Sequence, residues 1–400
     1  MVDWLRSWRR IDSARITAHW RVSTLLPLCI VAGVIALPPA VDAAPPQSSR
    51  QAGHTDGVWY WDLPTTPNGL KPLIAYSGAG SAPDGSIYVG GMDHKTNSAL
   101  YSLPAAGGTA TLPAPTLGYL GDARAASEAA GNYLPGEGIE KFHTRPTWYQ
   151  GKVYVANLNH SDLDAGYLNK RGFHWYAYDT TGGSFTDLSA GAPHGVGALH
   201  GGIVSTVIDP ARGVIYGYGG PYDPTIFNHV HYYDPAAGRF GERTGWKLRT
   251  QHAIDAAQCF TGPRVCYVAD NLGTVWRFLD PDPATGKLEW RRVGSIGQST
   301  TATYGANWVF HVNPGRTRAY LLTKRGKFFE MRLSDGRILR KLDFPAVEPA
   351  FAGWWYYGHN AWDQFGRFYL AAFKQVAKST GVRLLAVDPA RFLAATASGG

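Results

Sequence analysis

Four histidines of this 400-residue chain, His143, His200, His252 and His359, each stand at or near the start of a short run with β character. Tyr304 holds the comparable place in another such run. An imidazole with a pKa of ~6.5 can take or give a proton near neutrality. A second set of polar groups stands where the following strands would end: Asp93-His94, Asn159-His160, Tyr218, Asp270-Asn271, Lys324-Arg325 and Lys374. In an antiparallel pair the start of one strand lies beside the end of the next, so both sets would crowd one end of the fold. His143 with His160 is the clearest such pair. Any one of these histidines could instead satisfy a backbone group at a strand end. The set as a whole points to proton-transfer chemistry.

Other catalytic signatures are missing. The sequence carries no G-x-S-x-G, no Gly-rich phosphate loop and no H-E-x-x-H. Ser81-Ala82-Pro83-Asp84-Gly85-Ser86 has part of the spacing of a sialidase Asp box, but it does not recur.

The elements that would position these groups repeat along the chain. A turn precedes a run centred on one tyrosine: Tyr88, Tyr154, Tyr216, Tyr267, Tyr320 and Tyr369, spaced 66, 62, 51, 53 and 49 residues apart. A period near ~50 residues built of strands and turns predicts an all-β chain arranged as a β-propeller. Six units are readable, and six or seven blades are expected. The extra blade would have to come from residues 114–138, which read more simply as an Ala/Gly-rich surface loop. Expected first strands are Leu73–Tyr76, Glu140–Tyr149, Gly202–Ile208, Ala253–Phe260, Ala306–Val312 and Phe351–Trp362. Expected fourth strands include Thr109–Leu112, Ser184–Leu188 and Arg239–Arg243. The run Val58–Leu63 has no unit of its own. Placed on the last unit, it would close the ring and remove exposed sheet edges.

Residues 1–44 read as a secretory signal: five arginines, the mainly apolar run Leu25–Leu37, then Val41-Asp42-Ala43 as a cleavage site. The apolar run is short against the roughly 20 residues a spanning helix needs. Residues 45–53 read as a disordered leader, and 54–400 as a single domain, secreted and monomeric. Loss of five Arg and three Asp takes the formal charge from +8 to +6. A basic balance favours an anionic partner, but no Lys/Arg block suggests nucleic acid, and no membrane partner is expected. After cleavage Cys259 and Cys266 remain. They could form a disulfide across a hairpin, the preferred reading, or hold a structural zinc with His252.

Phe142-His143-Thr144-Arg145-Pro146, then Gly151-Lys152-Val153-Tyr154-Val155-Ala156, His160, and Arg171-Gly172-Phe173-His174-Trp175-Tyr176-Ala177-Tyr178-Asp179, resembles the histidine-bearing blade of secreted propeller polysaccharide lyases, the ulvan lyases in particular. The pattern spans roughly residues 140–235. That family is seven-bladed, one more than the units readable here. The resemblance implies β-elimination beside a uronic acid in an acidic polysaccharide, with no cofactor required. His143 and His160 match the family's active-site histidines. By strand position His200 and Tyr218 join them as catalytic candidates, with Arg145, Arg264, Tyr304 and His359 as substrate-binding candidates. Trp148, Trp175, Trp308, Trp354 and Trp355 could stack on sugars or pack between blades. Two other classes compete: a non-catalytic carbohydrate- or protein-binding propeller, and a metal- or cofactor-dependent propeller enzyme.

Overall fold

Asp, Asn and Gly residues place the turns, and the tyrosine runs between them supply the strands. In the computed structural model the described residues are 50–93, 98–105, 117–132, 141–157, 174–189, 203–209, 212–219, 230–243, 254–260, 265–270, 273–279, 290–297, 307–374 and 380–397. All belong to one compact unit, residues 44–400. The chain is mostly β.

The chain begins with β1 (Arg50–Ala52) and β2 (Val58–Asp62). Six four-stranded antiparallel units then follow among the described residues. The first is β3 (Ala79–Ser81), β4 (Ile87–Gly91), β5 (Ala99–Leu103) and β6 (Gly118–Asp122), and helix α1 (Arg124–Ala129) leads out of it. The second is β7 (Thr147–Tyr149), β8 (Lys152–Ala156), β9 (Trp175–Asp179) and β10 (Ser184–Asp187). The third is β11 (Ile203–Asp209), β12 (Val214–Gly219), β13 (Val230–Asp234) and β14 (Arg239–Arg243). The fourth is β15 (Ile254–Phe260), β16 (Val265–Asp270), β17 (Thr274–Leu279) and β18 (Trp290–Ser295). The fifth is β19 (Asn307–Val312), β20 (Arg318–Thr323), β21 (Lys327–Arg332) and β22 (Ile338–Asp343), followed by α2 (Phe344–Val347). The sixth is β23 (Trp355–Trp362), β24 (Phe368–Phe373) and β25 (Val382–Val387), with β2 as its fourth strand, β1 beyond it at the edge, and α3 (Pro389–Ala397) after it.

Five of the six repeat tyrosines, all but Tyr216, have a common structural task. Successive side chains of a strand point to opposite faces, and Val153 and Val155 pack toward the first unit while Tyr154 packs toward Tyr233 of the third. Tyr88 likewise packs against the second unit, Tyr267 against the fifth, Tyr320 against the sixth, and Tyr369 back against Val89 and Tyr101 of the first. The tyrosine therefore belongs to the layer between its own unit and the next. The first strands follow the same order. β3 touches β7, then β7 touches β11, β11 β15, β15 β19 and β19 β23, and β23 returns to β3. Between β19 and β23 the approach becomes a parallel pairing, Val309 with Gly358 and Phe310 with His359, which merges the last two units into one nine-stranded sheet.

Close approach of first strands demands small residues. A Cβ on Gly80 would lie 1.7 Å from the Pro146 carbonyl oxygen. Gly78, at φ +62, would put one 2.9 Å from the Gly358 Cα. The Asp residues of the recurring phrase close turns: Asp179 accepts from the Thr181 and Gly182 amides, Asp234 from Ala236 and Ala237, and Asp363 from Phe365 and Arg367.

Several sequence expectations shift. The strand expected at Leu73–Tyr76 is only a bridge, Ile74 with Met92, and the ladder resumes at β3. Ser77 interrupts it, its hydroxyl accepting from the Gly90 amide. The fourth strand of the first unit is β6, inside the stretch read as a loop. Thr109–Leu112, where it was expected, lies outside the described residues. Residues 50–52, assigned to the leader, form β1 against β2. The segment behind them is anchored, because Glu348 is buried and its carboxylate accepts from the His54 and Thr55 amides at 2.9 and 2.5 Å. The run Val58–Asp62 pairs along its length with β25, where the sequence placed it.

Candidate functional site

The segment Lys141–Arg145 leads into β7 and is pinned at both flanks. The Phe142 amide donates to Ser98 Oγ at 3.0 Å, and Phe142 bridges Asn157 at the end of β8. The Ala156 amide donates to Thr144 Oγ1 at 2.7 Å. Pro146 holds Arg145 extended, since the residue before proline avoids helical backbone. The strand-start and strand-end adjacency expected from the sequence is therefore present here, as a backbone bridge three residues before His160.

His143 sits between aromatic rings. Its imidazole stacks on Tyr76 at 5.4 Å between centroids, and Tyr357 meets it edge-on at 6.0 Å. Only 8% of His143 is exposed, whereas Tyr76 is half-buried and reaches solvent. The Lys141 ammonium lies 5.5 Å over the same tyrosine ring. Tyr76 also touches Phe373 edge-on at 5.4 Å, and Phe373 meets Trp355 at 6.2 Å. The Lys324 ammonium lies 3.4 Å over Trp355. Burial, and then the neighbouring Arg325 charge, pushes the Lys324 amine below its ordinary value. An aromatic strip from Trp355 through Phe373 and Tyr76 to His143 thus carries a lysine at each end. It lies where β7 and β23 begin and where β20 and β24 end. Lys374, at the end of β24, adds a cation 5.8 Å from Trp354.

Beneath the strip the positive character continues. The Arg145 guanidinium reaches the carbonyl oxygens of His359 and Asn360, each at 3.4 Å. Those carbonyls lie within the irregularity of the β23–β24 ladder, between Tyr357 and Ala361, where Asn360 takes φ +52. Burial pulls the Arg145 guanidinium down to about 10. The His359 imidazole is held well below its usual value, first by burial and then by His311, Arg145 and His143. His311 falls to about 3, again by burial first and then by Arg145. Neither ring nitrogen of His311 or His359 has a hydrogen-bond partner among the described residues. Both rings are therefore neutral at physiological pH. They form an uncharged, fully buried pair of rings under a strip that carries the charge.

A second buried polar group lies between α1 and the second unit. The Asp187 carboxylate accepts from Ser127 Oγ, Asn132 Nδ2 and the Ser189 amide, and pairs with His174 Nδ1 at 3.2 Å. Burial pushes this carboxyl up, but the His174 bond and charge, with Asn132 and the Ser189 amide, more than offset it and hold it low. Ser127 bonds the aspartate rather than the histidine, so the group lacks the geometry of a nucleophilic triad. It fastens α1 to β9 and β10.

Of the residues singled out in the sequence, His143, Arg145 and His359 come together here. His160, His200, His252, Arg264 and Tyr304 lie outside the described residues. Tyr218 is described in its backbone, near the end of β12, opposite Ser205 and Val230. Cys266 is disulfide-bonded, and the ladder sets Cys259 directly across from it. A disulfide sulfur is not the thiolate that zinc requires, so the geometry favours the disulfide over the metal reading. Trp175 is fully buried against Tyr233 and serves packing, while half-buried Trp355 stands on the strip. Tyr76 and Lys141 were not named as site residues. Lys141 stands near the start of the expected first strand Glu140–Tyr149, as His143 does, while Tyr76 stands at the end of the expected strand Leu73–Tyr76.

No protein-family model and no curated protein matches the chain. Among solved structures 1394 chains match, so the fold by itself selects no activity. One is the crystal structure of a structural genomics protein of unknown function from Bacteroides thetaiotaomicron VPI-5482. Its TM-score is 0.50 with 13% identity, covering 86% of this chain and 76% of that one. At that identity the likeness concerns the fold alone.

Proposed function

We propose that the chain is a six-bladed β-propeller and a secreted lyase that cleaves an acidic, uronate-containing polysaccharide by β-elimination. The propeller reading rests on the cyclic order of first-strand contacts and on Tyr369 packing from the sixth unit onto the first. Closure by β2 on the last unit supports it. Secretion is supported by the N-terminal sequence and by a disulfide at Cys266, a bond that persists in oxidising compartments.

The single observation that carries the activity is His143 stacked on solvent-reaching Tyr76 beneath the Lys141 ammonium. The proton alpha to a carboxylate is acidic enough to remove only if the developing negative charge is stabilised, and one such stabilising donor is worth roughly 10²–10³ in rate in other enzymes. Lys141, backed by the Arg145 charge, meets the uronate carboxylate. His143 takes the alpha proton. The electron pair left behind forms the ring double bond as the glycosidic C–O bond breaks. The Tyr76 hydroxyl protonates the departing oxygen. His160 joins His143 through the resemblance of its blade to the ulvan lyases. The Lys324–Trp355 pair extends the track for neighbouring sugars, the half-buried indole stacking a ring while Lys324 and Lys374 attract its charge.

A second reading is favoured by one observation. His359 and His311 are fully buried, and His143 and Lys141 nearly so, which suits a non-catalytic carbohydrate-binding propeller that uses only the half-buried rings of the strip, Tyr76 and Trp355. Incubating the protein with ulvan, glucuronan and pectate separates the two. The lyase produces the ultraviolet absorbance of an unsaturated uronate, and His143→Ala abolishes it. Folded protein that binds these polymers yet yields no absorbance at any concentration would leave only the binding reading.

A further inference from the structure

We infer that the fold carries a second carbohydrate site, at the opposite strand ends, that takes a neutral sugar ring. A cleft of about 390 Å³ opens there, lined by Ser81, Pro83, Trp148, Trp362, Asp363 and Gln364 among others. Its walls come from three units. Ser81 ends β3, Trp148 lies in β7 and Trp362 ends β23, while Pro83 and Gln364 sit in the turns that follow β3 and β23. His143 and Arg145 precede β7 while Trp148 lies within it, so the cleft opens farther along that strand than the histidine strip.

The composition of the cleft specifies its occupant. Two half-buried indoles line it, the side chains most suited to stacking on the apolar face of a pyranose. The size falls in the range of small-ligand sites. One carboxylate lines it, already ion-paired with Arg367, and among the described residues no Lys, Arg or His does, so a uronate or sulfated sugar would find no free counter-charge there. A neutral ring needs none. The carboxylate is also locked in place. Asp363 accepts from Arg367 Nε at 2.6 Å, Tyr369 Oη at 3.0 Å and the Phe365 and Arg367 amides at 2.9 and 3.0 Å. Trp362 is fixed from behind, its amide donating to Ser81 Oγ at 3.3 Å and its ring edge-on to Phe368 at 5.5 Å. The walls are thus set before any ligand arrives, which reduces the ordering cost of binding. The exposed Gln364 side chain supplies an amide to ring hydroxyls.

Isothermal titration calorimetry of the full chain with cellohexaose, xylohexaose, laminarihexaose and a galacturonate hexamer tests this. The expected result is saturable binding of at least one neutral hexamer. Trp148→Ala should weaken it at least about tenfold, as befits a central aromatic contact. Trp148→Phe should retain part of it, Gln364→Ala should weaken it, and His143→Ala should leave it unchanged. No saturable binding of any neutral hexamer overturns the inference. So does binding that Trp148→Ala and Gln364→Ala leave intact, or that only His143→Ala removes. Because the elimination assay uses acidic polymers and His143, its failure and the failure of this site are distinguishable.

Discussion

His311 makes the buried layer testable without any substrate. Its ring is fully buried, stacked on Phe368 at 4.6 Å and edge-on to Trp362 at 6.0 Å, with no hydrogen-bond partner among the described residues. Its folded-state pKa is about 3, lowered by burial and then by Arg145, against 6.5 for the exposed residue. The unfolded chain therefore binds a proton below pH 6.5 that the folded chain refuses. The contribution to stability is fully present above 6.5 and is lost as pH falls from 6.5 toward 3. Each pH unit is worth about 1.4 kcal/mol. At pH 5, one and a half units below the unfolded value, His311 alone lowers stability by about 2 kcal/mol relative to neutral pH. His359 acts in the same direction, so the wild-type loss is larger still. The perturbation is His311→Phe, which keeps an aromatic ring among Phe368, Trp362 and Tyr320 and removes the titration. Urea unfolding at pH 7.5 and pH 5 reads the effect. The variant should lose about 2 kcal/mol less than the wild type between the two pH values, with its neutral-pH stability nearly unchanged. An equal loss in both proteins would refute a neutral, buried His311.

Three further perturbations probe the scaffold. Gly80→Ala puts a methyl group 1.7 Å from the Pro146 carbonyl oxygen, against backbone that cannot swing aside. It should destabilise the fold by about 3 kcal/mol or more in urea unfolding, beyond the usual range of overpacking, and a loss under about 1 kcal/mol would contradict the close strand approach. Glu348→Ala strips the acceptor from the His54 and Thr55 amides. It should cost about 2–3 kcal/mol and speed proteolysis ahead of β2, and unchanged cleavage there would count against the anchor. Reduction of the Cys266 disulfide removes a short closed loop worth roughly 2 kcal/mol. The melting temperature should fall under reductant, and an unmoved melting curve would argue against the bond.

Much of the architecture was legible because one residue repeats with one task. In five of the six second strands the central tyrosine, all but Tyr216, packs against the next unit, so its period follows the period of the sheets. The pairing of Val58–Asp62 with the last unit was legible because that aromatic run has no unit of its own. The first unit was misread for local reasons. Leu73–Tyr76 is the more apolar run, but Gly78 and Gly80 are where the backbones pack, and glycine leaves no apolar signal. β6 escaped because Gly118–Asp122 is half-buried throughout and lacks a clear alternation. In the candidate site, His143 and His359 were named from strand position, His143 also from the resemblance, and the structure brings them together with Arg145. Tyr76 and Lys141 were not named, since their roles arise from contacts between units, and a tyrosine or lysine beside a strand end is common. Arg145 was named for the substrate carboxylate, but its guanidinium also reaches two backbone carbonyls of β23, an engagement set by the irregular ladder at Asn360.

The most direct test of the proposed chemistry is the initial rate of unsaturated-uronate absorbance on ulvan, glucuronan and pectate for the wild type and His143→Ala, with their melting temperatures matched. The expected outcome is a rate on at least one polymer that falls by about 10²-fold or more in the variant. Absorbance that grows equally fast without the imidazole, or no absorbance from the folded wild type on any of them, would contradict it.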